Sequence, residues 1–299
     1  MRFRLLTLFA LFSSLLPAQP LPFSNPHPLS IAHFNPTMEG DGEQQGVYFR
    51  ETSFFENRGY LADGNIYHFT IDMEVSELLY RTRQSFGRWS VSANFTLAAA
   101  HKGFFDQTIN SVHDHLGYKG GVFDEKKAAP DNEFNFFITD ANGTVIYKED
   151  PRIFVNADIF ISTSPWKGGV VRLGIRPTFK QDFAFYQDYS EFSLTYQHRF
   201  QWKELDFFAD YSLITVSPDD TGFKQKTLRT SYNFYLAWNR WFVQTNRAES
   251  VYKSGNEKID SHGAIFSLGW HGESWSFAMT EDFSPFNRPD VSIVIGYRF

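Results

Sequence analysis

Cysteine is absent from the 299 residues, which excludes disulfide staples, thiolate metal sites, thiol catalysis and a lipoprotein anchor. Basic charge is in short supply: 28 Lys and Arg stand against 34 Asp and Glu, a formal net charge of −6. Without a basic stripe to neutralise phosphates, a nucleic-acid partner is not expected. Beyond the first residues no apolar run reaches the length of a transmembrane helix. Catalytic and metal signatures are missing too: there is no Gly-x-Ser-x-Gly elbow, no His-Glu-x-x-His and no calcium-loop spacing. His113-Asp114-His115 is metal-like, but on a helix residues at i and i+2 do not share a face. The expectation is of no catalytic residue, no metal and no cofactor.

What is present is aromatic. Phe, Tyr and Trp make up 18% of the chain, with 34 Phe, yet the mean hydropathy is −0.35. That pairing suits a membrane barrel, whose apolar side chains face lipid while polar ones line the lumen. Residues 1–18 read as a signal peptide: Arg2 and Arg4 form the positive region, 5–16 the apolar region, and Ala18 a small residue for cleavage. Residues 19–45, broken by Pro20 and Pro22, read as a Pro-rich periplasmic segment. Residues 46–299 read as the barrel.

Period-two alternation dominates that span. Trp89, Val91, Ala93, Phe95, Leu97 and Ala99 oppose Ser90, Ser92, Asn94 and Thr96. Val171, Leu173, Ile175 and Phe179 oppose Arg172, Gly174, Arg176 and Thr178. The same alternation runs through 205–213 and 228–238. Such runs predict strands near 46–56, 74–85, 88–99, 152–163, 169–180, 190–200, 203–215, 226–238, 241–250, 261–271, 274–283 and 289–299. About twelve strands form an all-β, antiparallel up-and-down transmembrane barrel, as an even-numbered bacterial chain requires. Short turns near 85–88, 166–169, 239–240 and 271–273 alternate with longer loops at 57–73, 100–151, 181–189, 217–225 and 251–260. By the usual asymmetry the short turns are periplasmic and the long loops extracellular.

The longest loop holds the one helical pattern. Phe105, Ile109, Val112 and Leu116 form an apolar stripe, and Asp106, Asn110 and His113 a polar stripe beside it. This predicts a short extracellular helix, either a plug or gate over the barrel mouth or a plain cover for it. Within the same loop, 134–138 and 144–148 flank an Asn142-Gly143 turn and predict an extra hairpin. Charges in the lumen phase are mixed: Glu77, Arg81, Arg83, Arg172, Arg176 and Arg199 against Asp206, Asp210, Asp282 and Asp290. They either set a transverse field across an open pore or pair within a closed lumen. Trp89, Trp166, Trp202, Trp238, Trp241 and Trp275 read as an interfacial girdle. The chain ends on an alternating strand through Tyr297 to Phe299, which reads as a signal to the barrel-assembly machinery.

Several stretches resemble an uncharacterised bacterial outer-membrane family, catalogued as domain of unknown function 3187. Lys102-Gly103-Phe104-Phe105-Asp106, continuing through Ile109 to Val112-His113-Asp114-His115-Leu116-Gly117, is similar to that family's Gly-Gly-Phe-Leu-Asp segment. Lys102, Val112 and Leu116 depart from it. Ile71-Asp72-Met73-Glu74, Thr280-Glu281-Asp282-Phe283, Pro289-Asp290-Val291 and Ile295-Gly296-Tyr297-Arg298-Phe299 match further motifs. The resemblance implies the compartment and the barrel, and no activity. Three functions stay open: a channel or transport-type barrel for small solutes, a structural or surface-interaction barrel with a sealed lumen, and an outer-membrane lipid-modifying enzyme. The expected partners are outer-membrane lipid, the assembly machinery and a small-molecule solute, at the bacterial outer membrane.

Overall fold

The computed structural model describes residues 19–23, 31–40, 44–62, 65–104, 133–179, 181, 188–219, 224–253, 262–282 and 291–299. Its strands are β1 (Gln44–Ala62), β2 (Asn65–Phe86), β3 (Trp89–His101), β4 (Asn135–Thr139), β5 (Val145–Glu149), β6 (Arg152–Trp166) and β7 (Gly169–Arg176). They continue as β8 (Glu191–Trp202), β9 (Leu205–Thr215), β10 (Leu228–Trp238), β11 (Trp241–Glu249), β12 (His262–His271), β13 (Trp275–Asp282) and β14 (Val291–Arg298). All fourteen belong to one sheet. Setting aside the β4–β5 hairpin, the remaining twelve follow one another antiparallel and close, because β1 pairs with β2 on one side and β14 on the other. Closure from Gly46↔Arg298 to Ser53↔Val291 leaves the barrel without an edge.

The alternation read from the sequence sorts the side chains as expected. On β3, Val91, Phe95 and Leu97 point outward and are exposed, while Ser90, Ser92 and Asn94 are buried inside. On β7, Leu173 is outside, and Arg172 and Arg176 are buried inside. Tight turns join β2 to β3, β6 to β7, β8 to β9, β10 to β11 and β12 to β13. In the β6–β7 turn Gly168 has φ +80°, and a Cβ there would lie 2.7 Å from the Arg199 carbonyl oxygen. Asn239 takes φ 56° in the two-residue turn between Trp238 and Trp241, as Asn can in a primed turn. All seven tryptophans (89, 166, 202, 238, 241, 270 and 275) sit at this short-turn end.

One expectation changes at the long-loop end. Residues 57–73 are not a loop: β1 and β2 stay paired up to Ala62↔Asn65. The Asp63-Gly64 dipeptide between them is a hairpin signal, and Ile66, Tyr67, Phe69 and Ile71 favour strand. The extra hairpin is present as β4–β5, and it adds to the sheet above the end of β3 through His68↔Thr139 to Asp72↔Asn135. There Phe136 and Ile138 are buried with Phe54, Ile71, Met73 and Phe154. The predicted helix with Asp106, Asn110 and His113, and Asp290, lie outside the described residues. Asp282 pairs its backbone with Ile265, and its side chain also lies outside what is described.

Candidate functional site

The lumen is occupied, and the occupant is the chain's own N-terminal segment. Residues 19–23 and 31–40 are buried throughout. The reading of 19–45 as periplasmic thus differs from the structure, which puts these parts inside the barrel. A segment with prolines at 20, 22 and 36 cannot join a sheet ladder, and its backbone groups must still find partners once buried. Wall side chains supply them.

Leu21 N–H donates to Gln244 Oε1 (2.8 Å), and Gln244 Nε2 donates back to Leu21 O (3.2 Å). Arg176 Nη1 reaches both Ile31 O (3.1 Å) and His33 O (2.8 Å). Arg229 Nη2 donates to Phe34 O (2.5 Å) and Asn233 Nδ2 to Pro36 O (3.3 Å). Arg81 Nη2 donates to Thr37 Oγ1 (2.8 Å) and Met38 O (3.2 Å). Gln197 Nε2 donates to Glu39 O (2.7 Å), and Arg83 Nη1 to Gly40 O. From Ile31 to Gly40 the descending segment is clamped by arginines and amides of the wall.

Carboxylates hold those cations in place. Arg176 makes a two-pronged bond to Asp158 (2.6 and 2.8 Å), and Arg50 pairs with Glu77 (2.5 Å) while lying 4.4 Å over the Phe23 ring. Glu191 accepts from Phe34 N–H (2.5 Å) and Ser217 N–H (2.9 Å), and meets His33 Nδ1 at 2.8 Å. Buried guanidinium–carboxylate bonds of this kind are strong and geometrically exacting. Breaking one leaves an uncompensated charge.

Apolar packing completes the fit. Toward the long-loop end Ile31 packs against Met73, Val75, Ala100 and Phe154. Toward the short-turn end Leu21, Phe23 and Met38 meet inward aromatics, Tyr48, Phe208, Tyr235 and Phe242. In between, Phe34 packs on Phe160 with centroids 5.7 Å apart. Gly174 makes room for that ring, since a Cβ there would come within 2.7 Å of it.

The lumen-phase side chains read from the sequence therefore face inward, but their task differs. Arg81, Arg83 and Arg176 hold the inserted segment rather than lining open water. Arg199 and Asp206 pair with each other (2.7 Å) near the short-turn end, and Asp210 accepts from Asn233 (2.7 Å). The sequence offers a plug in the 100–151 loop as one of two readings of its helix, and gives no sign that the N-terminal segment enters the lumen. A Pro-broken stretch with no periodicity carries no signal of where it lies. At the other end of the chain, Phe299 N–H donates to Gln45 O (3.1 Å) beside β1, and Tyr297 points outward against Trp275.

A second cluster, with both carboxylates buried, lies in the outward phase of β1, β2 and β3 toward the long-loop end. Glu51, Glu74 and His101 bring ligand atoms within 4.8 Å of one another. His101 Nε2 is 2.8 Å from Ser76 Oγ and 3.3 Å from Glu51 Oε1, while Nδ1 meets Lys102 O at 2.8 Å. Among the described residues this is the trio able to hold a cation.

No known family profile matches the chain, and no curated protein matches it. Solved structures do. The COG4313 outer membrane channel from Pseudomonas putida F1 is 7% identical, with a TM-score of 0.48, over 86% of this chain and 96% of that one. The Acinetobacter baumannii outer membrane protein Omp33 is 5% identical, with a TM-score of 0.40, over 86% and 99%. The P. putida toluene transporter TodX is 8% identical, with a TM-score of 0.39, over 86% and 89%. Likeness at this level concerns the barrel architecture alone.

Proposed function

We propose that the protein is an outer-membrane channel or transport-type barrel for small solutes whose resting lumen is closed by its own N-terminal segment. The observation that carries this reading is how the segment is held. Its described bonds to the wall run through side chains such as Arg81, Arg176, Gln197, Arg229 and Gln244. The ladders that close the barrel, β1–β14 and β1–β2, do not include residues 19–40. The segment can leave without opening the barrel.

The outward apolar band fits a surrounding of outer-membrane lipid. With residues 1–18 removed on export, the short-turn end with its tryptophans is periplasmic, and Tyr297 and Phe299 offer the assembly machinery its terminal strand. The resemblance to domain of unknown function 3187 fits this reading and adds no activity. The density of the clamp favours a second reading, a permanently sealed structural barrel.

Conductance of refolded protein in planar bilayers separates the two. Replacing residues 31–40 by a Gly/Ser stretch of equal length should turn a quiet barrel into an open, ohmic one. If the replaced protein folds, by heat-modifiable gel mobility, and still does not conduct, the lumen is sealed for other reasons and the channel reading falls.

A further inference from the structure

Glu39 is the only carboxylate in the described part of the inserted segment. It meets a socket built by four neighbouring strands. One oxygen accepts from Ser92 Oγ, the other from Ser162 Oγ (2.9 Å). Arg83 Nε lies 3.7 Å away and Arg172 Nη1 3.6 Å.

Arg172 is underused. Its residue is 1% exposed, lies 4.5 Å over the Phe160 ring, and none of its guanidinium nitrogens makes a hydrogen bond. Asp210 is its other acidic neighbour, yet Asp210 bonds Asn233 instead. A guanidinium and a carboxylate normally close to about 2.7–2.9 Å, often through two parallel bonds. Glu39 stops short of that distance, with its backbone N–H (3.0 Å) and carbonyl (2.7 Å) both held by Gln197. A carboxylate free of that tether could take both serine hydroxyls and the fork of Arg172.

We propose that the socket of Arg83, Ser92, Ser162 and Arg172 is a carboxylate-binding site that Glu39 shares with a solute, so that a carboxylate-bearing solute competes the segment off the wall. The proposal rests on the reading that the segment closes the lumen, and it names the solute class.

Benzoate is the probe, with benzamide as its uncharged counterpart and phosphate at matched ionic strength. Calorimetry on the refolded full chain reads binding, and bilayer conductance reads opening. Benzoate should bind Glu39→Gln about tenfold or more tightly than the native chain, because the internal competitor is weakened and the site is free more of the time. Glu39→Gln/Arg172→Gln should lose that binding, and in the native chain benzoate but not benzamide should raise the open fraction. If Arg172→Gln does not fold, Ser92→Ala/Ser162→Ala on the Glu39→Gln background reads the same socket. Undetectable benzoate binding to a folded Glu39→Gln overturns the proposal, even if that variant conducts and the plug reading stands. Equal binding of phosphate overturns the carboxylate assignment. Binding that depends on Arg172 without any change in conductance supports the socket and sinks the gating reading on its own.

Discussion

Phe95 and Asn94 are neighbours in the chain with opposite surroundings. Phe95 points outward and is 48% exposed, six residues above Trp89 at the short-turn end. With strands tilted about 40° that is roughly 15 Å, close to the middle of a ~25 Å apolar band. Phe95→Arg should therefore cost about 2–4 kcal/mol, read as a shift in the urea unfolding midpoint in lipid vesicles. Asn94 shows what alternation alone does not reveal. Its phase marks it as a lumen residue, and a lumen residue in open water would tolerate charge. Here Asn94 Oδ1 accepts from Arg81 Nε (3.0 Å) and Nδ2 donates to Thr37 (3.3 Å), with 3% of the residue exposed. Asn94→Lys should loosen residues 31–40 against proteases while leaving the barrel folded, because the new ammonium faces Arg81. An unchanged cleavage pattern would mean that Arg81 does not clamp the segment. Inward or outward direction was readable at nearly every strand residue, since it depends only on a period of two. What an inward residue touches depends on a segment far away in the chain.

The elements differ in how much local chemistry decides them. The β4–β5 hairpin is local: Asp140 Oδ1 accepts from the N–H groups of Asn142 (2.9 Å) and Thr144 (2.8 Å), and Gly143 takes φ +81°. The Asn-Gly pair marked it in advance. Those N–H groups, chiefly that of Thr144, favour the ionised side chain and hold the Asp140 carboxyl below its usual range near 3.8. The folded pKa is depressed, so the turn's stabilisation is complete above the unfolded value and is lost as pH falls through the folded one. Acidification below about pH 3.9 should lower the amide protection factors in 140–144, measured against the intrinsic rate at each pH, and Asp140→Asn should remove that change in protection. If the protection factors there are the same at pH 3 and pH 6, the carboxylate does not hold the turn. The inserted segment is the opposite case. The described wall contacts of residues 31–40 come from Arg176, Arg229, Arg81 and Gln197 on four separate strands. Local pattern could mark these residues as unsuited to the ladder, but not where they lie. The 57–73 stretch is local again: Asp63-Gly64 is a two-residue turn signal between β-prone residues, and the strands pair up to Ala62 and Asn65 on either side of it.

At the scale of the whole molecule, apolar and polar surfaces exchange the places they hold in a water-soluble protein. Large aromatics face outward, and the buried interior carries Arg50, Arg81, Arg172, Arg176 and Arg229 against Glu77, Asp158, Glu191 and Asp210. That inversion reconciles a negative mean hydropathy with 34 phenylalanines. Arg83 near the short-turn end adds to the cations, while Arg199 there is matched by Asp206. On the lumen side, these seven arginines outnumber the five carboxylates. The inserted segment answers the excess with the backbone carbonyls of Ile31, His33, Phe34, Met38 and Gly40 and with the Glu39 carboxylate, each facing a guanidinium group. Removing the segment takes away those acceptors and leaves the cations facing water, where a narrow low-dielectric passage concentrates their field. The Gly/Ser replacement of 31–40 should therefore open a pore that prefers anions, giving a reversal potential of anion sign under a potassium chloride gradient. Arg176→Gln/Arg229→Gln on that background should move it toward zero. Because exposed charges are screened within about 8 Å at physiological salt, the preference should also weaken as salt rises. A cation-preferring current would show that carboxylates dominate the opened lumen. The segment would then be held by geometry and hydrogen bonding rather than by the charge of the wall.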